Sequence, residues 1–242
     1  MRLICRAALL SLSLCLGLVL TTATPSAATA VGHTWATHVA RASHADGMTG
    51  SQILAQGWKS DYERPTTTPP PECHYGGRTG KILFAGRIDF VCPVPLGYPV
   101  MYLAGSSCDT ASPPPFYAVT AREQRRCAKK ADLAFISCMT LAVDDGPAVL
   151  ITRPRFELYT RQVHVQLPAD NIDGAPAGPA TFSAHAWAAF ATHLSLGLHT
   201  THLTIHYGDG STDVFDRTIR VVRTNASRFD RNAQMSSWPP AA

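Results

Sequence analysis

Histidine is the chemically suggestive residue that clusters in this chain: His164, His185, His193, His199, His202 and His206 all fall in its second half. Imidazole changes charge near neutral pH and is a common metal ligand. If Trp187 to Leu194 and Leu203 to Tyr207 form one antiparallel hairpin with Phe190 opposite Ile205, the same register sets His193 opposite His202 on the other face. Opposed side chains have Cβ atoms about 4.5–5.5 Å apart, close enough for two imidazoles to share a zinc ion. A catalytic zinc usually needs three protein ligands, which leaves His164 or a loop aspartate to supply the third. His202 and His206 fail as a pair, because four strand residues span about 13 Å. A plain exposed histidine pair is the simpler reading, with no cofactor, and a metal-dependent hydrolase is the alternative.

Other reactive types are dispersed. Asp144, Asp145, Asp170, Asp173, Asp209, Asp213 and Asp216 mostly sit beside Gly or Asn, where carboxylates serve turns, and no EF-hand spacing is present. Ser183 and Ser195 lie near histidines, but neither occupies a Gly-x-Ser-x-Gly elbow. No assembled catalytic set follows from the spacing.

The compartment is more legible. Arg2 and Arg6, the apolar run Ala7 to Leu20 and Ala28-Thr29-Ala30 have the order of a secretory signal peptide over residues 1–30. Leu14 ahead of Cys15 argues against a lipid anchor, and no later apolar run is long enough to span a membrane. Removing the leader leaves nineteen basic and seventeen acidic side chains, a formal charge of +2 that points to no nucleic-acid partner. Arg122, Arg125, Arg126, Lys129 and Lys130 form a basic run, read as a solvated helix face. Five cysteines remain, and in an exported chain they favour disulfides. Two bridges among five allow fifteen arrangements. The expected pairs are Cys108 with Cys127 and Cys73 with Cys92, leaving Cys138 free: Cys127 lies on a helix that must dock against the strand region ending at Cys108.

The elements that must position these residues read as mainly β. Residues 31–72 are expected to be an irregular arm ending in a proline-rich linker, 73–223 the folded domain and 224–242 a disordered tail. Strands are expected over Lys81 to Phe90, Tyr98 to Leu103, from Leu141 to the turn at Asp144-Asp145-Gly146, Phe156 to Leu167, and on both sides of Gly208-Asp209-Gly210. Thr120 with Glu123 is a capping-box signature that starts one helix, from about Ala121 to about Phe135, with Cys127, Ala128, Ala131 and Phe135 inward. The fold class is an antiparallel β-sandwich-like domain with one short helical insertion.

The order of Gly80-Lys81-Ile82-Leu83-Phe84-Ala85-Gly86, Val91-Cys92-Pro93-Val94-Pro95, Cys108, a helix carrying Cys127, Val143-Asp144-Asp145-Gly146, Leu167-Pro168-Ala169-Asp170-Asn171-Ile172 and Gly197-Leu198-His199-Thr200 resembles an uncharacterised family of secreted bacterial β-rich proteins. The chain departs from that group after Thr200, where residues are inserted before Ile205, and at Asp173, where the group is apolar. The resemblance implies secretion and a β-rich domain, and no activity. The expected function is a non-catalytic binding or structural domain outside the cell, its ligand a polysaccharide or a protein.

Overall fold

A capping box that the sequence reading passed over starts the first helix. Thr49 accepts from the Gln52 amide through its hydroxyl, and the Gln52 side chain accepts from the Thr49 amide. The structure, a computed structural model, describes residues 38–85 and 91–223. The expected signal peptide, the tail 224–242 and the end of the strand expected over Lys81 to Phe90 lie outside the described residues. Strands β1 (Val39–Arg41), β2 (His44–Ala45) and β3 (Met48–Thr49) precede helix α1 (Gly50–Tyr62). Then come β4 (His74–Gly76), β5 (Ile82–Phe84), β6 (Cys92–Pro95), β7 (Val100–Asp109) and helix α2 (Ala121–Phe135). The chain continues with β8 (Ile136–Val143), β9 (Val149–Leu150), β10 (Glu157–Tyr159), β11 (Val163–Leu167), β12 (Gly178–Ala191), β13 (Gly197–Tyr207) and β14 (Thr212–Val222).

These strands make two main sheets. One has seven strands in the order β1-β12-β7-β5-β4, with β10 and β11 also on β12; the other has five in the order β6-β14-β13-β8-β9. The two face each other across a core of Val100, Tyr102, Trp187 and Ala189 from the first and Met139, Leu141, Leu203, Ile205 and Ile219 from the second. The fold is therefore mainly β and sandwich-like, as expected, with a second helix that was not. α1 covers the other face of the seven-stranded sheet, where Ile53 and Leu54 pack with Ala184, Ala186, Ala188 and Phe190. The described part of the expected irregular arm thus contributes three short strands and a helix, because burying that second sheet face requires an apolar cover.

β12 decides the topology. Even positions of β12 face α1; of the odd ones Ser183 and His185 face α2 and Trp187, Ala189 and Ala191 face the second sheet, so both faces are buried and the strand reads as a near-continuous apolar run. Its Phe190 pairs with Met101 of β7 and Ala40 of β1, whereas Ile205 of β13 pairs with Met139 of β8 and Asp213 of β14. The expected hairpin between Trp187–Leu194 and Leu203–Tyr207 is therefore not formed. A strand buried on both faces needs partners on both edges, and β7, β1, β10 and β11 take them. The chain leaves β12 at His193, whose φ of +56° suits a turn, and enters the other sheet. The hairpin that does form joins β13 to β14 around Gly210, at φ +89°.

α2 begins as expected, with Thr120 and Glu123 bonded reciprocally. Its buried stripe differs: Gln124, Ala128 and Asp132 face inward, and Phe135 is exposed. Disulfides join Cys108 to Cys127 with a Cα separation of 6.0 Å and Cys73 to Cys92 at 5.7 Å. Each links positions 19 apart in sequence, a loop whose closure is worth about 3 kcal/mol. Cys138 is also disulfide-bonded, so the expectation of a free thiol there is corrected.

Candidate functional site

The chemistry of the described residues concentrates where α2 crosses β7, β10 and β12. Backbone pairing sets Ser106 opposite His185 and His185 opposite Tyr159. β12 turns Ser183 and His185 to the face that α2 covers, and the helix meets them with Gln124 and Asp132, eight residues apart on one stripe. His185 Nδ1 donates to Asp132 Oδ2 at 2.5 Å and Nε2 donates to Glu157 Oε1 at 2.9 Å. Ser106 Oγ donates to the other Asp132 oxygen at 2.5 Å, while Tyr159 and Lys129 donate to Glu157 at 2.7 and 2.8 Å. His185 and Asp132 are fully buried, and Lys129 reaches water.

A carboxyl oxygen meets each ring nitrogen of His185, and Lys129 adds a cation beside Glu157. Burial pushes the Glu157 carboxyl up, but the bonds from Lys129, Tyr159 and His185 outweigh it and hold the group below its ordinary value. Trp187 packs edge-on against the imidazole at 5.0 Å and Tyr159 lies 4.8 Å from it, which completes the enclosure. No nitrogen of His185 is left to take a proton from a substrate, and the network holds α2 on the sheet. Gly105 is required beside it, because a Cβ there would lie 2.2 Å from the His185 carbonyl oxygen.

A second imidazole has the composition of a triad without its geometry. His199 Nδ1 donates to Asp144 Oδ2 at 2.8 Å, and Ser195 is near. However, Nε2 donates to the Ser195 carbonyl at 2.9 Å, with the hydroxyl at 3.4 Å. A nitrogen already donating to a carbonyl cannot serve as the base for that serine. Asp144, in a left-handed conformation at φ +51°, also accepts from the Thr200 amide at 2.9 Å. The trio locks the start of β13 to the end of β8.

The remaining histidines are separated. His193 lies in the turn two residues beyond β12, and His202 lies on β13, opposite Ala142 and Asp216. The His193 and His202 pair expected to share a zinc is not brought together, since the hairpin that would oppose them is absent. His202 Nδ1 instead donates to Asp216 at 2.7 Å. Among the described residues no group of three or more His, Cys, Asp or Glu side chains could hold a metal ion.

β13 and β14 carry an open surface. Leu203, Ile205, Ile219 and Val221 point into the core, so Thr200, His202 and Thr204 of β13 and Val214, Asp216 and Thr218 of β14 form the outer face. Val214 is 59% exposed, and no described element packs across this face. Sequence reasoning singled out His202 for a different partner and missed Asp132 and Glu157 altogether. The signal for Asp132 was present: an acid three residues after Lys129, on the same helical stripe as Ala128, is the one charge of the helix placed inward.

Comparison of the chain with protein-family models, with curated proteins and with solved structures finds no match.

Proposed function

We propose that this chain is an exported, non-catalytic binding domain that takes a polysaccharide on the outer face of the five-stranded sheet. The observation that carries the reading is the contrast between the imidazoles. His185 and His199 are engaged at both nitrogens and buried, whereas His202 and Asp216 stand on an open face among threonine hydroxyls. Hydroxyls, imidazole and carboxylate on a flat strand pair are donors and acceptors suited to an extended ligand rich in hydroxyl groups. Disulfides fit an oxidising compartment, and no described helix is long and apolar enough to cross a membrane.

The test is a binding screen of the purified chain against neutral and acidic polysaccharides, with reducing-end release measured in the same samples. Saturable binding, weakened at least tenfold by His202→Ala with Asp216→Ala and without release of sugar ends, supports the reading. Cleavage of the polymer, or binding indifferent to the two substitutions, contradicts it.

A further inference from the structure

The exposed side of α2 has the make-up of a membrane-contacting surface, separate from the outer face of the five-stranded sheet. Arg122, Arg126, Lys130 and Leu133 follow one another at three- and four-residue intervals, so they form one continuous patch opposite the buried Gln124, Ala128 and Asp132, with Lys129 at its edge. Lys129 is held by Glu157 at 2.8 Å. Among the described residues, Arg122, Arg125, Arg126 and Lys130 form no ion pair. The one acid near them on the helix surface, Glu123, is hydrogen-bonded to Thr120 as the cap, and Arg126 acts on its carboxylate only through space.

A solvated basic face accounts for the cations but not for the apolar side chain that continues their row. Leu133 is 60% exposed at the C-terminal end of the patch, and Tyr117 and Val119, just before the helix, are 51% and 52% exposed. Cations held in no ion pair are complementary to an anionic surface, and an exposed leucine continuing their row fits one whose interior is apolar. An acidic polymer would meet the first requirement only; an anionic lipid bilayer meets both. We propose that α2 docks this protein peripherally on a membrane bearing anionic phospholipid, with Arg122, Arg126 and Lys130 at the headgroups and Leu133 in the acyl boundary.

The experiment is co-sedimentation of the full chain with vesicles of phosphatidylcholine alone and with added phosphatidylglycerol. Because Ala7 to Leu20 is apolar as well, the readout is the difference between full-chain variants that share that segment. The triple variant Arg122→Gln, Arg126→Gln, Lys130→Gln is expected to lose about a hundredfold in affinity for the anionic vesicles, near fivefold per charge. Leu133→Ser should lose severalfold even in salt that screens the charges, and neither variant should change binding to phosphatidylcholine. All four side chains are exposed or at the surface, so unchanged thermal unfolding shows that the variants are folded. Equal sedimentation of wild type and triple variant would overturn the proposal. So would a Leu133→Ser protein that binds like wild type while soluble dextran sulfate displaces both, the outcome that assigns the patch to an acidic polymer.

Discussion

Replacing His185 by leucine leaves the Asp132 carboxyl buried beside Ser106 without its ring-nitrogen partner at 2.5 Å. Removing one partner of a buried ion pair costs about 3–5 kcal/mol, whereas replacing both by apolar side chains of similar size is often close to neutral. The expected outcome in denaturant unfolding is therefore a severe loss for His185→Leu alone and a large part of it regained in the double variant with Asp132→Leu. Losses that simply add would mean that the two residues are not coupled. Asp173 behaves in the opposite sense to Glu157. Its burial, and secondarily the nearby Asp109 carboxylate, push it up to about 6, and its buried Oδ2 has no hydrogen-bond partner. A carboxyl raised on folding holds its proton more tightly in the folded state, so its contribution is present at low pH and lost as pH rises through about 6. Asp173→Asn should raise the stability at pH 7 by about 1 kcal/mol, after allowing for water around a half-buried group, and leave it nearly unchanged at pH 4. Melting curves at the two pH values check this; an equal shift at both would remove titration as the cause. Glu157, lowered on folding, works the other way, and its contribution is lost as pH falls below its ordinary value.

At the scale of elements, Phe190 and Leu203 are both buried, yet in different layers. Phe190 packs in the core beneath α1, and Leu203 in the core between the sheets. Phe190→Ala should cost about 3–5 kcal/mol and Leu203→Ala about 2–5. With no shared layer, the double variant should equal their sum within about 0.5 kcal/mol, as read from chemical denaturation. Strong coupling would return the two residues to adjacent strands of one hairpin. The sequence carried the elements better than their partners. α2 was legible from Thr120 and Glu123, and β13 with β14 from Gly208-Asp209-Gly210, because caps and turns are written locally. α1 was equally available in Thr49 and Gln52, but a polar, alanine-rich context hid it. The pairing of β12 was not legible at all: a strand buried on both faces loses the alternation that fixes which face meets which partner. That single ambiguity produced the His193 and His202 pair. The site residues Asp132 and Glu157 were hidden for a related reason, since a charge is read as outward unless its buried counterion is known.

For the whole molecule, the account divides the polar side chains in two. Those of Asp132, Glu157, His185, Asp144 and His199 hold elements together, and those on the outer face of β13 and β14 are free to meet a ligand. Two variants measured side by side against the same polysaccharide test that division most directly: His202→Ala with Asp216→Ala, and Glu157→Gln. The account predicts that the first loses binding while its melting temperature stays at the wild-type value, and that the second melts lower but binds as the wild type does. The reverse pattern, with binding or turnover lost in Glu157→Gln and retained in the outer-face variant, would contradict it and place the working chemistry in the network beneath α2.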